Sequence, residues 1–61
     1  MNIQTVANNL RNTIAGKEKL LADLTSRRIP PEATIHFLEI NIDELKRILQ
    51  DVEQCIEKVE V

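Results

Sequence analysis

Few side chains in this sequence combine the residue types and the spacing that chemistry requires. His36 is the only imidazole, and Glu32 and Glu39 flank it at four and three residues. A helix would place all three side chains on one surface, where they could meet a divalent cation. A strip of this kind on a surface helix is usually solvated, so we expect neither a metal site nor a cofactor.

Cys55 is the only cysteine, which excludes an intramolecular disulfide and a cysteine-based metal cluster. A reactive thiolate needs a nearby base or a helix N-terminus, whereas Cys55 lies in an acidic C-terminal stretch beside apolar positions. We therefore interpret it as a small, half-buried packing residue. The sequence contains no glycine-rich phosphate loop or serine elbow, and a chain this short cannot wall a pocket. We expect no enzymatic activity.

Basic and amide side chains on the first half of the chain suggest a second kind of chemistry, phosphate binding. The candidate nucleic-acid face comprises Asn8, Arg11, Asn12, Lys19, Arg27 and Arg28. The formal net charge of −2 opposes this interpretation, as does the presence of a single aromatic residue for base stacking. A solvated helix face is the favoured interpretation, and nucleic acid is the less favoured ligand.

A heptad repeat in the second half of the chain determines how these side chains are positioned. Apolar residues recur there in alternating steps of three and four, which predicts a helix with one narrow apolar seam. Such a seam must pack against another helix, and we predict that it is the oligomer seam, through which copies of the chain cover one another. Its members are Ile35, Leu38, Ile42, Leu45, Leu49, Val52, Ile56 and Val59.

The first half has a similar but weaker seam. Lys17 occupies a position where an apolar residue is expected, and Gly16 beside it disfavours helix by about 1 kcal/mol relative to Ala. We favour one continuous helix with a close helix–helix approach at Ala15 and Gly16; a break there is the alternative. The seam residues are Ile3, Leu10, Ile14, Leu21 and Leu24, with Ala7 on the same stripe.

Two prolines separate the halves. Pro30 and Pro31 follow Arg27, Arg28 and Ile29, and the residue before a proline disfavours helical geometry. Pro31 suits the first turn of a helix, where an amide hydrogen is not needed. We predict a single domain, residues 1–61, with helix 1 at about 3–26, a loop at about 27–30 and helix 2 at about 31–60. A connection this short makes the helices antiparallel neighbours.

Charge is distributed unevenly between the halves. Residues 1–30 carry five basic and two acidic side chains, net +3, and residues 31–61 carry three basic and eight acidic ones, net −5. This asymmetry favours pairing of helix 1 with helix 2, within or between chains.

The size of the chain predicts self-association. A compact chain of this mass removes about 6,000 Å² from water on folding, worth about 90 kcal/mol if about 60% of that area is apolar. Ordering the residues costs about 90 kcal/mol as well, so a lone hairpin is marginal. The predicted fold is all-α, an antiparallel two-helix hairpin that dimerises into a four-helix bundle; a trimer or higher oligomer is the alternative. We see no targeting or membrane-spanning segment and expect a cytoplasmic protein without a membrane partner.

Excess apolar surface at the start of helix 2 provides the strongest functional hint. Phe37 and Ile40 lie off the seam, with Glu44 and Arg47 at their rim. These four residues form the candidate partner patch, which either joins symmetry mates or docks another protein. The leading interpretation is a small interaction protein: an adaptor, inhibitor or regulator.

A paired-helix hairpin of this length that dimerises resembles the Rop family of plasmid RNA-regulatory proteins. The resemblance is one of length and architecture, without a shared motif, and it transfers no residue roles. It implies the second functional hypothesis, an RNA- or DNA-binding regulator that uses the basic face of helix 1.

Overall fold

The computed structural model describes residues 2–60, and the side chains of residues 2–58. Helix α1 spans Ile3–Thr25 and helix α2 spans Glu32–Glu60. The described residues contain no β-strand, so the fold is all-helical. The helix ends predicted from the sequence differ from these bounds by one residue at the end of α1 and at the start of α2.

Local hydrogen bonds explain the two ends of α1. At its start the Asn2 side chain accepts a hydrogen bond from the Thr5 backbone N–H at 2.9 Å, so Asn2 is the N-cap. At its end the backbone N–H of Ser26 donates to the carbonyl of Ala22, and that of Arg27 donates to the carbonyl of Leu24. The carbonyls of Ala22 and Leu24 in the last turn are therefore satisfied.

Helix α2 begins one residue later than expected. The backbone N–H of Ile35 donates to the carbonyl of Pro31 at 2.9 Å, which is the first hydrogen bond of the helix. Pro31 is thus the residue before the helix rather than its first member. Glu32 occupies the first turn and Lys58 the last. Each charge therefore lies near the helix end of opposite partial charge, which stabilises the helix.

Helix α1 is continuous through Gly16, so the alternative of a break there is wrong. The expected close approach at Ala15 and Gly16 is also wrong: both residues are exposed, and a Cβ added at Gly16 would meet nothing within 4 Å. The tight contact lies instead at Ala7, which is 0% exposed.

The two helices pack side by side and antiparallel. Arg11 pairs with Glu53 and Glu18 pairs with Lys46, and in each pair the residue numbers add to 64. A residue n of α1 therefore lies level with residue 64 − n of α2. Among the side chains that the structure describes, the buried core between the helices consists of Ala7, Ile14, Leu24, Ile42 and Ile56.

The hairpin is a rod rather than a sphere. Its extents are 50 × 15 × 15 Å and its radius of gyration is 14.4 Å, against about 10.5 Å for a compact chain of this length. The accessible surface is 4869 Å², against about 4,000 Å² for a compact monomer of this mass. The difference of about 800 Å² matches what one partner contributes to a standard protein interface.

Candidate interaction surface

The predicted seam lies at the contact between α1 and α2. Ile14, Leu24, Ile42 and Ile56 are buried there, so the chain's own second helix covers this part of the seam. The seam residues Ile3, Leu10, Leu21, Ile35, Leu38, Leu45, Leu49 and Val52 are half-buried. Val59 lies outside the residues whose side chains the structure describes.

Two ion pairs close one edge of this contact. The Nη2 of Arg11 lies 3.1 Å from the Oε2 of Glu53, and the Nζ of Lys46 lies 3.3 Å from the Oε2 of Glu18. Arg11 and Glu18 are seven residues apart on α1, and Lys46 and Glu53 are seven apart on α2. Side chains seven residues apart share one side of a helix, so both pairs mark the same edge of the hairpin.

The opposite edge is open and more apolar. The side chains of this edge belong to the residues that immediately precede the contact positions, which are 7, 14 and 21 on α1 and 42, 49 and 56 on α2. A step of one residue rotates a side chain round the helix, here away from the edge with the ion pairs. Leu20 and Ile48 are 47% and 49% exposed there. We call this edge the open face; its residues are Val6, Thr13, Leu20, Asn41, Ile48 and Cys55, flanked by Leu10, Lys17, Leu45 and Val52.

The open face completes a second heptad pattern on each helix. On α1 the positions 6, 10, 13, 17, 20 and 24 alternate in steps of four and three, and on α2 the positions 38, 41, 45, 48, 52 and 55 do likewise. Two adjacent apolar stripes on a helix allow it to contact two neighbours at once, as in a four-helix bundle. Each helix of the hairpin has one such neighbour within its own chain.

The candidate partner patch borders the open face near the connection. Its four residues are spaced by three, four and three, which places them on one stripe of α2, and all four are exposed. Phe37 is 70% exposed, and its ring lies 6.2 Å from that of His36, centroid to centroid. The structure therefore brings Phe37, Ile40, Glu44 and Arg47 together on the outer side of α2.

Most residues of the candidate nucleic-acid face also lie together on α1, but two of the cations of this face already form ion pairs. Asn8, Arg11, Asn12 and Lys19 lie on one exposed strip of α1, and Arg27 and Arg28 lie beyond its end. Arg11 contacts Glu53 and the Asn8 side chain, and Arg27 lies 3.4 Å from Asp23. The carboxylates of Glu53 and Asp23 beside these cations lower the attraction of this face for phosphate.

The remaining side chains that could take part in chemistry do not lie together. Within the described residues, no group of three His, Cys, Asp or Glu side chains could hold a metal ion. Cys55 is exposed, rather than half-buried as expected, because its position faces outward from the hairpin contact. Two shallow grooves of about 170 and 180 Å³ lie along the ion-paired edge, which is smaller than typical ligand pockets of about 300–1,000 Å³.

Comparisons with protein-family models, curated proteins and solved structures found no match for this chain. Neither described helix has an apolar stretch long enough to cross a lipid bilayer.

The candidate partner patch at Phe37 was predicted from the sequence, but the open face was not predicted as a continuous surface. The signal was present as the second heptad pattern, in which every other position comes one residue ahead of a position of the first seam. Thr13, Lys17 and Asn41 interrupt that pattern with polar side chains, which masks it in a search for uninterrupted apolar steps.

Proposed function

We propose that this chain is a small, non-enzymatic protein-interaction module that acts as a homo-oligomeric helical bundle, in the role of an adaptor, inhibitor or regulator. The observation that carries the proposal is the open face, an exposed apolar edge that runs along a rod whose other edge is closed by ion pairs. Self-association joins two open faces into a four-helix bundle and forms a homodimer.

The energetics of the hairpin favour this assembly. Leu20 and Ile48 each leave about half of their surface in water within one chain, and burying that surface stabilises the assembled form at about 25 cal/mol per Å². An elongated hairpin of 61 residues has little stability of its own. Binding to a second copy adds stability by mass action.

The patch at Phe37 supports a second contact, with a different protein. It lies on the outer side of α2, beyond the open face, so a bundle formed through the open face leaves most of it accessible. A large aromatic side chain with an aliphatic neighbour and a charged rim is typical of an interface anchor. We assign docking of another protein to these residues.

The Rop-like alternative makes the exposed strip of α1 the binding surface. Lys19 and Arg28 are its cations without an ion pair within the described residues. Binding through them would weaken steeply with salt, because each phosphate contact releases a counterion. The ion pairs of Arg11 and Arg27 make protein docking the favoured function.

Phe37→Ala is the test of the docking function. Lysate from the source cell is passed over immobilised wild-type protein and over the variant, with and without nuclease, and the size of each protein is measured by sedimentation. We expect Phe37→Ala to lose the captured protein while remaining the same oligomer, because the open face is intact. Ile29→Ala, which removes an even more exposed apolar side chain from the connection, is the matched control and should retain capture.

Two outcomes would contradict this function. If Phe37→Ala dissociates the oligomer, Phe37 belongs to self-assembly and not to docking. If nuclease abolishes capture and Lys19→Ala or Arg28→Ala weakens it, the chain binds nucleic acid through α1.

A further inference from the structure

We propose that two copies of the chain pair through their open faces with both connections at the same end of the bundle, so that α1 of each copy packs against α2 of the other. This inference rests on the self-association proposed above and specifies its geometry. The occupant of the open face is therefore a second copy in one defined orientation.

Two-fold symmetry allows two ways to join the open faces. With the axis along the bundle, the connections lie together and each α1 contacts the α2 of the second copy. With the axis across the bundle, the connections lie at opposite ends and each helix contacts its own equivalent. Neighbouring helices are antiparallel in both arrangements, so helix dipoles do not distinguish them.

The charges of the two helices distinguish the arrangements. Helix α2 carries eight acidic and three basic side chains, whereas α1 carries three basic and two acidic ones. Contact between two α2 helices places a net charge of −5 beside an equal charge. The same-end arrangement avoids that contact and gives each α2 a more basic neighbour.

Lys17 provides the local complementarity. It is half-buried beside the open face and forms no ion pair within the part of the chain that is described. An axis along the bundle leaves heights unchanged, so Lys17 is level with Arg47 of the second copy. Arg47 precedes Ile48 by one residue, about 100° round the helix, and so lies on the side of α2 away from the open face. Glu44 and Asp51, also without ion pairs among the described residues, lie about one helical turn to either side, at the border of the open face.

The same-end arrangement also brings the two connections together. Each contains Arg27 and Arg28, but Arg27 is paired with Asp23 at 3.4 Å. One arginine per connection, Arg28, has no ion pair among the described residues and is exposed to water, where salt screens its repulsion over about 8–10 Å. This cost is smaller than that of apposing two acidic helices along their length.

Asn9→Cys tests the orientation with the native Cys55. Residues 9 and 55 are level, since their numbers add to 64. Within one chain they cannot bond, because Asn9 follows the buried Ala7 by two residues, about 200° round the helix, and so points away from its own α2. In the same-end dimer, Asn9 of one copy and Cys55 of the other lie side by side at the border of the interface. Level positions on the facing sides of neighbouring helices allow Cα atoms to approach within about 7 Å, which a disulfide needs.

We expect mild oxidation of Asn9→Cys to convert most of the protein into a covalent dimer of about 14 kDa, twice the chain mass of 7.0 kDa. Asn9→Cys with Cys55→Ser is the matched control and should not reproduce this yield. Asn41→Cys with the native Cys55 tests for the opposite orientation. Only in that orientation do two α2 helices contact each other, and they then run in opposite directions. It should remain uncrosslinked.

Lys17→Glu gives a second, non-covalent measurement. In the same-end dimer it places like charges beside Glu44 and Asp51 at two symmetric sites, and we expect about a tenfold increase in the dimer dissociation constant. Adding Glu44→Lys should restore binding. In the opposite arrangement Lys17 faces another α1, and Lys17→Glu would leave the affinity unchanged or raise it.

Each outcome decides a separate question. A chain that stays at 7 kDa at all concentrations refutes self-association itself, and the orientation with it. A dimer in which Asn9→Cys fails to cross-link, or in which Asn41→Cys cross-links instead, retains the proposed function and overturns the orientation.

Discussion

Ile48→Ala should weaken self-association more than any comparable change outside the open face. Ile48 is at the centre of α2 on that face and leaves 49% of its surface in water within one hairpin. When a second copy covers this surface, the burial of the Ile48 side chain stabilises the dimer. The substitution removes most of that gain without introducing a charge or a new polar group.

The magnitude follows from the exposed fraction. Complete burial of an Ile side chain is worth about 1.5–3 kcal/mol, so the exposed half contributes about 0.8–1.5 kcal/mol. A two-fold interface contains the residue twice, which makes the loss about 1.5–3 kcal/mol per dimer. At about 1.4 kcal/mol per tenfold, the dissociation constant should rise about 10- to 150-fold.

Sedimentation equilibrium over a range of protein concentrations measures this dissociation constant. Ile29→Ala is the matched control: it makes the same substitution at a residue that is 86% exposed in the connection, outside the open face, and it should change the constant less than twofold. Circular dichroism above the dissociation constant checks that both variants remain helical. If Ile48→Ala changes the constant no more than Ile29→Ala does, the open face is not where copies meet.

Two further predictions concern the hairpin itself. Gly16→Ala should raise the free energy of unfolding by about 0.5–1 kcal/mol, since Gly16 is mid-helix with open space around it; urea titration measures this, and Ala15→Gly should lower stability by a similar amount. Ala7→Leu should cost about 1–3 kcal/mol, because Ala7 is fully buried where α1 meets α2. Ala15→Leu, on the exposed side of the same helix, should be nearly neutral in the same titration. Equal effects at positions 7 and 15 would contradict the described contact.

The two helices, with their ends to within one residue, could be derived from the sequence because those features depend on local interactions. Alternating steps of three and four, the Asn2 cap and the Pro30–Pro31 pair each act within a few residues. The position of the tight contact could not be derived in this way. Gly16 was the expected site of close approach, yet Ala7 is the residue that the register of the two helices places at the contact.

The sequence by itself determined an all-helical hairpin, because heptad periodicity and a proline connection specify helices and their direction locally. Only the tertiary structure decided which edge of the hairpin is closed and which is open. That choice depends on how each helix is rotated about its own axis when the two pack. The rotation brings Arg11 to Glu53 and Lys46 to Glu18 on one side, and leaves Leu20 and Ile48 half in water on the other.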